Sequence, residues 1–175
     1  MLESNAIDNL FRLVDELNPI FNARYNMEID LNNFVGYKCE VDDMMDNDVD
    51  NMRYLNKASV LWTSYLTDLY GISFSIYDSY KNVHDIYVYL DSISIKNSDQ
   101  FQLEAPKYKI RSDDLSAAII MLKQKTDENN DILKKFKSFL SYIEAYIKFT
   151  KAVYYKTSSM IRQSEFRKIN ASFAI

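Results

Sequence analysis

Two stretches of this chain carry the same seven-residue apolar repeat. In the first, one row reads Leu55, Trp62, Leu69, Ile76, Val83 and Leu90, with a companion row of Ser59, Leu66, Ser73, Tyr80 and Tyr87 four residues on. In the second, one row reads Leu115, Leu122, Asn129, Phe136, Ile143, Thr150 and Thr157. Its companion reads Ile119, Thr126, Leu133, Leu140, Ile147, Tyr154 and Ile161. Alternating steps of four and three keep a stripe on one side of an α-helix and give a left-handed coiled-coil seam. The pattern predicts an all-α or mainly α chain in which two long helices form an antiparallel hairpin. Each seam must be covered, by the other helix or by copies of the chain. Such a shape points to a scaffold or binding protein before an enzyme.

A chain of 175 residues is one domain by length. Apolar residues make up 47% of it, enough for a core. Only two glycines and two prolines interrupt it, which fits long helices. The single cysteine, Cys39, excludes an intrachain disulfide. The N-terminus lacks a basic-then-apolar leader, and no apolar run nears the roughly 18 residues that span a membrane. The expectation is an intracellular protein without membrane contact, or a component of a particle assembled inside a cell. Net charge is −4, but residues 1–100 hold 17 acids against 7 bases, and residues 101–175 hold 8 against 14. From Ile132 onward there are 9 bases and 2 acids. That asymmetry suggests an anionic partner at the C-terminal end, or complementarity between acidic and basic halves of neighbouring subunits.

Residues 1–45 read as an acidic annex. Ile7, Leu10, Phe11, Val14 and Leu17 share one face of a short helix over Asn5–Leu17, which Pro19 is expected to stop. Val35, Tyr37, Cys39 and Val41 alternate with polar or small neighbours, so a short β segment fits near 33–41. Residues 46–175 read as the hairpin domain, with helices at about Val49–Ser92 and Ser112–Lys168 and a linker over 93–111. Asp46, Asp48 and Asp50 resemble the start of a calcium loop, but Asn51 and Lys57 stand where glycine and glutamate belong. Helix capping explains the aspartates better. Gly71, mid-helix, costs about 1 kcal/mol relative to alanine and marks a kink or a close helix crossing. Phe101, Leu103 and Ala105 alternate, which fits an extended piece in the linker. Ser112 is a good N-cap, with Asp113 and Asp114 in the first turn. Asp127–Asp131 is polar on every face and could hold a break.

The catalytic inventory is thin. His84 is the only histidine, and no second ligand or base lies at helical spacing from it. Two isolated glycines cannot make a phosphate-binding loop. No set of named catalytic roles can be filled, so neither an enzyme, a cofactor nor a metal is expected. The basic helix is the better signal. Lys134, Lys135, Lys137, Lys148, Lys151, Lys156, Arg162, Arg167 and Lys168 are interleaved with Phe136, Phe139, Tyr142, Tyr146, Phe149, Tyr154, Tyr155 and Phe166. Cations track phosphates and aromatic faces stack on unpaired bases. The competing reading makes the aromatics core and the cations a wet outer face. It suits Phe136 and Tyr154, which lie on the seam. Phe139, Tyr142, Tyr146, Phe149 and Tyr155 lie off it and need another helix, another subunit or a ligand.

The stretch Leu55-Asn-Lys-Ala-Ser-Val-Leu-Trp62, the linker and the basic close, Lys156-Thr-Ser-Ser-Met-Ile161-Arg162 with Phe166-Arg167-Lys168, resemble the UvsY-type recombination mediators of large tailed phages. The resemblance covers about residues 47–170. It implies an all-helical protein that self-assembles into a ring and binds single-stranded DNA. It also implies loading of the phage recombinase onto strands covered by single-strand-binding protein, in the cytoplasm of the infected host cell. One departure bears on DNA contact. The family's Lys-x-Arg-Leu-Asp pattern late in its first long helix meets Leu90 and Asp91 here, but Tyr87 and Tyr89 replace the cations. The acidic N-terminal 45 residues have no counterpart in the family. The alternative from the same residues is a virion subunit, such as a neck, tail or portal-associated protein that packs against other virion proteins. Both readings expect a homo-oligomer.

Overall fold

The computed structural model describes residues 2–45, 48–111 and 114–173. They form α1 (Leu2–Tyr25), α2 (Asn32–Met44), α3 (Val49–Lys96), α4 (Ser98–Glu104), a 3-10 turn (Ala105–Tyr108) and α5 (Leu115–Phe173). The chain is all-α, with no strand among the described residues. It divides into two compact units. Unit 1 takes in residues 1–71 and 139–175; unit 2 takes in residues 72–138.

In unit 1, α1 buries Leu10, Val14, Leu17 and Phe21. Steps of four and three keep these on one helical face. The expected stop at Pro19 does not occur, and the helix runs on to Tyr25. Pro19 lies on the exposed side, so the carbonyl that loses its partner faces water. Phe21, beyond the proline, is fully buried against the Phe139 ring, and that burial offsets the proline's cost. The helix ends at Asn26, which adopts a left-handed φ of 49°. The Asn18 side chain then clamps the next segment. Its Oδ1 accepts from Ile29 N–H at 2.8 Å, and its Nδ2 donates to Ile29 O at 3.2 Å.

The expected β segment near 33–41 is helix α2. Phe34, Tyr37 and Val41 are buried, at steps of three and four, while Cys39 is exposed. A short alternating run also fits a helix when every second residue does not need cover, and the aromatic contacts of Phe34 and Tyr37 decide the matter. Phe34 packs on Trp62 at 5.2 Å and on Tyr146 at 4.7 Å between centroids. Tyr37 reaches Trp62 and Phe149, each at 6.3 Å. Helix α3 opens as the capping argument expects at Asp48, whose Oδ1 accepts from Asp50 N–H at 2.9 Å. Asp46 lies outside the described residues. Asn56 Nδ2 donates to Thr157 Oγ1 at 2.9 Å, the Thr63 and Thr150 hydroxyls lie 2.8 Å apart, and Arg53 meets Glu165 at 3.3 Å.

In unit 2, Leu90, Ile93, Phe101, Ala105, Ile110, Ala118 and Leu122 form one apolar cluster. The extended piece expected at Phe101–Ala105 is instead α4 followed by the 3-10 turn. Phe101 and Ala105 are buried one helical turn apart, and Leu103 is exposed. Asn97 caps α4 by accepting from Gln100 N–H at 3.1 Å. Helix α5 starts behind Asp114, whose Oδ1 accepts from Ala117 N–H at 3.0 Å. Ser112 and Asp113 lie outside the described residues. The polar run Asp127–Asp131 holds no break. Side-chain pairs spanning one turn support it, Asp131 with Lys135 at 2.8 Å and Gln124 with Glu128 at 2.9 Å.

The first heptad row is buried at Leu55, Leu69, Ile76 and Leu90, partly covered at Trp62 and exposed at Val83. The second is buried at Leu122, Phe136, Ile143, Thr150 and Thr157. Its companion departs from the expectation. Leu140 is buried, Ile147 is partly covered and Tyr154 is exposed. The buried companion in unit 1 is Phe139, Tyr146 and Val153, three residues on rather than four. Helices α1 and α2 lie on that side and pull the buried stripe toward themselves.

Candidate nucleic-acid interface

The interleaved aromatics of α5 divide into two groups. Phe139 and Tyr146 are buried under α1 and α2, and Phe149 is half-buried against Tyr37. Lys38 of α2 lies over the Tyr146 and Phe149 rings at 5.5 and 5.6 Å. Burial pushes the Tyr146 hydroxyl above its usual range. Phe139 and Tyr146 are core rings closed to a base, and Phe149 is partly covered by Tyr37 and Lys38. Tyr155 and Phe166 are 68% and 65% exposed. The off-seam set therefore needed another helix for three of its members; Tyr142 is partly covered, and Tyr155 stands mostly in solvent.

The nine cations divide as well. In unit 2, Lys135 is held by Asp131, while Lys134 and Lys137 are exposed without an ion-pair partner among the described residues. In unit 1, Lys148 is held by Glu144 at 2.7 Å. Lys151, Lys156, Arg162, Arg167 and Lys168 are exposed and have no hydrogen-bond or ion-pair partner among the described residues. The acid among them, Glu165, is engaged by Arg53. Helix capping does not account for these cations, because the last turn of α5 carries none of them and the dipole effect fades within one turn.

Two concave features lie on unit 1 along α5. Arg162, Gln163, Phe166 and Arg167 line a shallow nook of about 390 Å³. Helical spacing puts Arg162 and Phe166 one turn apart, with Arg167 beside the ring. A ring face, two guanidiniums and an amide suit a stacked base and its phosphates. Upstream, Lys151, Tyr154 and Tyr155 share a groove of about 330 Å³ with Val60, Thr63, Ser64, Thr67 and Asp68 of α3. The α3 side of that groove was not singled out in the sequence. The signal was there, since Val60 and Thr67 each follow a seam residue and repeat at seven.

His84 is half-buried on α3 within unit 2, and Cys39 is exposed on α2 within unit 1. The described residues hold no group of three or more side chains suited to a metal ion. No helix among them is long and apolar enough to cross a membrane. Comparison with protein-family models, with characterised proteins and with solved structures finds no match.

Proposed function

We propose that this chain is a non-enzymatic protein that binds single-stranded nucleic acid through the C-terminal end of α5. The observation that carries the reading is the state of Lys156, Arg162, Arg167 and Lys168. All four are exposed and unpaired among the described residues, and Phe166 is exposed between them. Unpaired surface cations cost no ion pair when they meet phosphates, and each releases a counterion. A solvent-facing ring adds stacking that tolerates any base. The UvsY-type resemblance supports the narrower reading of a phage recombination mediator acting in the host cytoplasm with a recombinase and a single-strand-binding protein. That step rests on the resemblance alone.

We also read α3 and α5 as antiparallel arms of a heptad hairpin. In unit 1 the bonded positions rise from Arg53 through Asn56 to Thr63 on α3 as they fall from Glu165 through Thr157 to Thr150 on α5. A second function, that of a virion subunit, draws support from one apolar patch on α3, where Leu61, 72% exposed, and Tyr54, 50% exposed, stand with Ala58, Trp62 and Tyr65 around one shallow hollow. A contiguous exposed apolar patch suits contact with a neighbouring protein.

The test is fluorescence anisotropy with an end-labelled thymidine oligonucleotide at low salt. Wild type should bind, and the triple variant Arg162→Glu, Arg167→Glu, Lys168→Glu should lose binding while keeping its helical content. A wild type that does not bind removes the nucleic-acid reading and leaves the virion subunit.

A further inference from the structure

We infer that the α3 and α5 arms of unit 2 enclose a binding site for water, built from His84, Thr126 and Asn129. Three polar atoms carry the inference. His84 Nδ1, Thr126 Oγ1 and Asn129 Nδ2 are shielded from solvent and meet no hydrogen-bond partner among the described residues. A buried polar atom left dry is costly, and nearly all such atoms pair with protein or with ordered water. Thr126 shows that its lack of a partner is a matter of orientation. A helical threonine can donate its hydroxyl to the carbonyl three or four residues back. Thr63 does so to Ser59 at 2.7 Å, Thr150 to Ile147 at 3.0 Å and Thr157 to Val153 at 2.8 Å. Thr126, well inside α5, makes no such bond.

The three atoms fall in one layer. Tyr80 of α3 stacks on Phe136 of α5 with ring centroids 6.4 Å apart, and further along Leu90 and Leu122 share an apolar cluster. The antiparallel reading of the arms, on which this inference rests, sets His84 between those two contacts at the level of Asn129. Thr126 lies one turn from Asn129 and neighbours it on the helix surface. Room comes from side-chain size. Asn129 stands one heptad from Phe136 and one from Leu122, in the same row. Those two bulkier side chains, both fully buried, set the spacing of the helices, and the smaller asparagine leaves space between them. Water suits the chemistry as well as the space. It both donates and accepts, so one molecule can take the Asn129 N–H and give its own protons to His84 Nδ1 and Thr126 Oγ1. The acids around the layer, Asp85, Asp127, Glu128 and Asp131, are all exposed, so a neutral guest suits it better than a cation.

Oxygen-17 relaxation dispersion of the full chain tests this, because it counts waters held longer than the molecule tumbles. The triple variant His84→Leu, Thr126→Val, Asn129→Leu should lose an amplitude of about one water per chain relative to wild type. Thr126→Val alone, which keeps the side chain's shape and therefore folds, should also lower the amplitude. Melting curves give a second readout. Removing one group strands the other two, whereas removing all three strands none. The triple variant's change in melting temperature should therefore be more favourable than the three single changes added together. Additive changes overturn the inference, as does an amplitude that the triple variant and Thr126→Val both keep. So does an Asn129 side-chain amide resonance that moves when chloride replaces sulfate in the buffer, which would assign the layer to an anion. Nuclear Overhauser contacts between the His84 ring and Asn129 check the antiparallel reading by themselves. Their absence removes that reading and this inference with it; their presence with an unchanged amplitude removes the water alone. None of these outcomes bears on the binding assigned to Arg162, Arg167 and Lys168, which is read separately.

Discussion

At the scale of single residues, burial separates side chains that the sequence presents as alike. Phe139 and Tyr155 are both off-seam aromatics of α5, yet one is fully buried and the other mostly in water. Phe139→Ala should cost about 3–5 kcal/mol, through lost transfer and an unfilled cavity. Tyr155→Ala should move the stability of the monomeric chain by less than about 0.5 kcal/mol. Chemical denaturation of the two variants side by side measures the contrast, and equal losses would show that α1 does not cover Phe139. Tyr37 offers a pH test. Burial outweighs the neighbouring Ser59 hydroxyl and pushes it up to about 12. Its neutral form is favoured in the fold, so this contribution is complete below the ordinary tyrosine value of 10 and is lost as pH rises toward 12. Tyr65 and Tyr146 shift the same way and add to the loss. Tyr37→Phe should flatten part of the stability decline between pH 10 and 12, in melting curves taken across that range. An unaltered decline would place the Tyr37 hydroxyl in solvent.

At the scale of elements, the long helices were legible because their signal is local and repeated. A seven-residue period over six or seven turns of the pattern has no competing interpretation, and α3 opens at the Val49 that the pattern gave. The short elements were misread because their signal is tertiary. Pro19 carries a strong local stop, and only the burial of Phe21 against Phe139 overrides it. Residues 33–41 fit two periods equally, and contacts with Trp62, Tyr146 and Phe149 select the helix. The candidate site was half legible for the same reason. Charge counts found the basic end of α5, but which cations are held by acids and which aromatics lie under α1 and α2 depends on packing that no single stretch displays. The proline argument can be tested by itself. Pro19→Ala should stabilise the chain by about 1–3 kcal/mol, since alanine restores the missing hydrogen bond at an exposed interior position. A neutral or destabilising result would mean that α1 needs the proline's geometry.

At the scale of the whole molecule, a chain of net charge −4 carries four cations, Lys156, Arg162, Arg167 and Lys168, unpaired among the described residues and close together at one end of α5. Net charge alone would argue against binding a polyanion. Local charge decides, because screening confines each charge's influence to about 8–10 Å at moderate salt. The acids of the N-terminal hundred residues weaken long-range attraction to a polyanion without pairing, among the described residues, with Lys156, Arg162, Arg167 or Lys168. The most direct measurement is therefore the salt dependence of wild-type affinity for a single-stranded oligonucleotide. Four unpaired cations at roughly 0.7 each predict a plot of log affinity against log salt with a slope of about −3. Neutralising three of them together, as Arg162→Gln, Arg167→Gln and Lys168→Gln, should weaken binding and bring the slope to roughly −0.7. A wild-type affinity that does not change with salt, or a triple variant that keeps the full slope, would contradict the reading of this helix end as a nucleic-acid site.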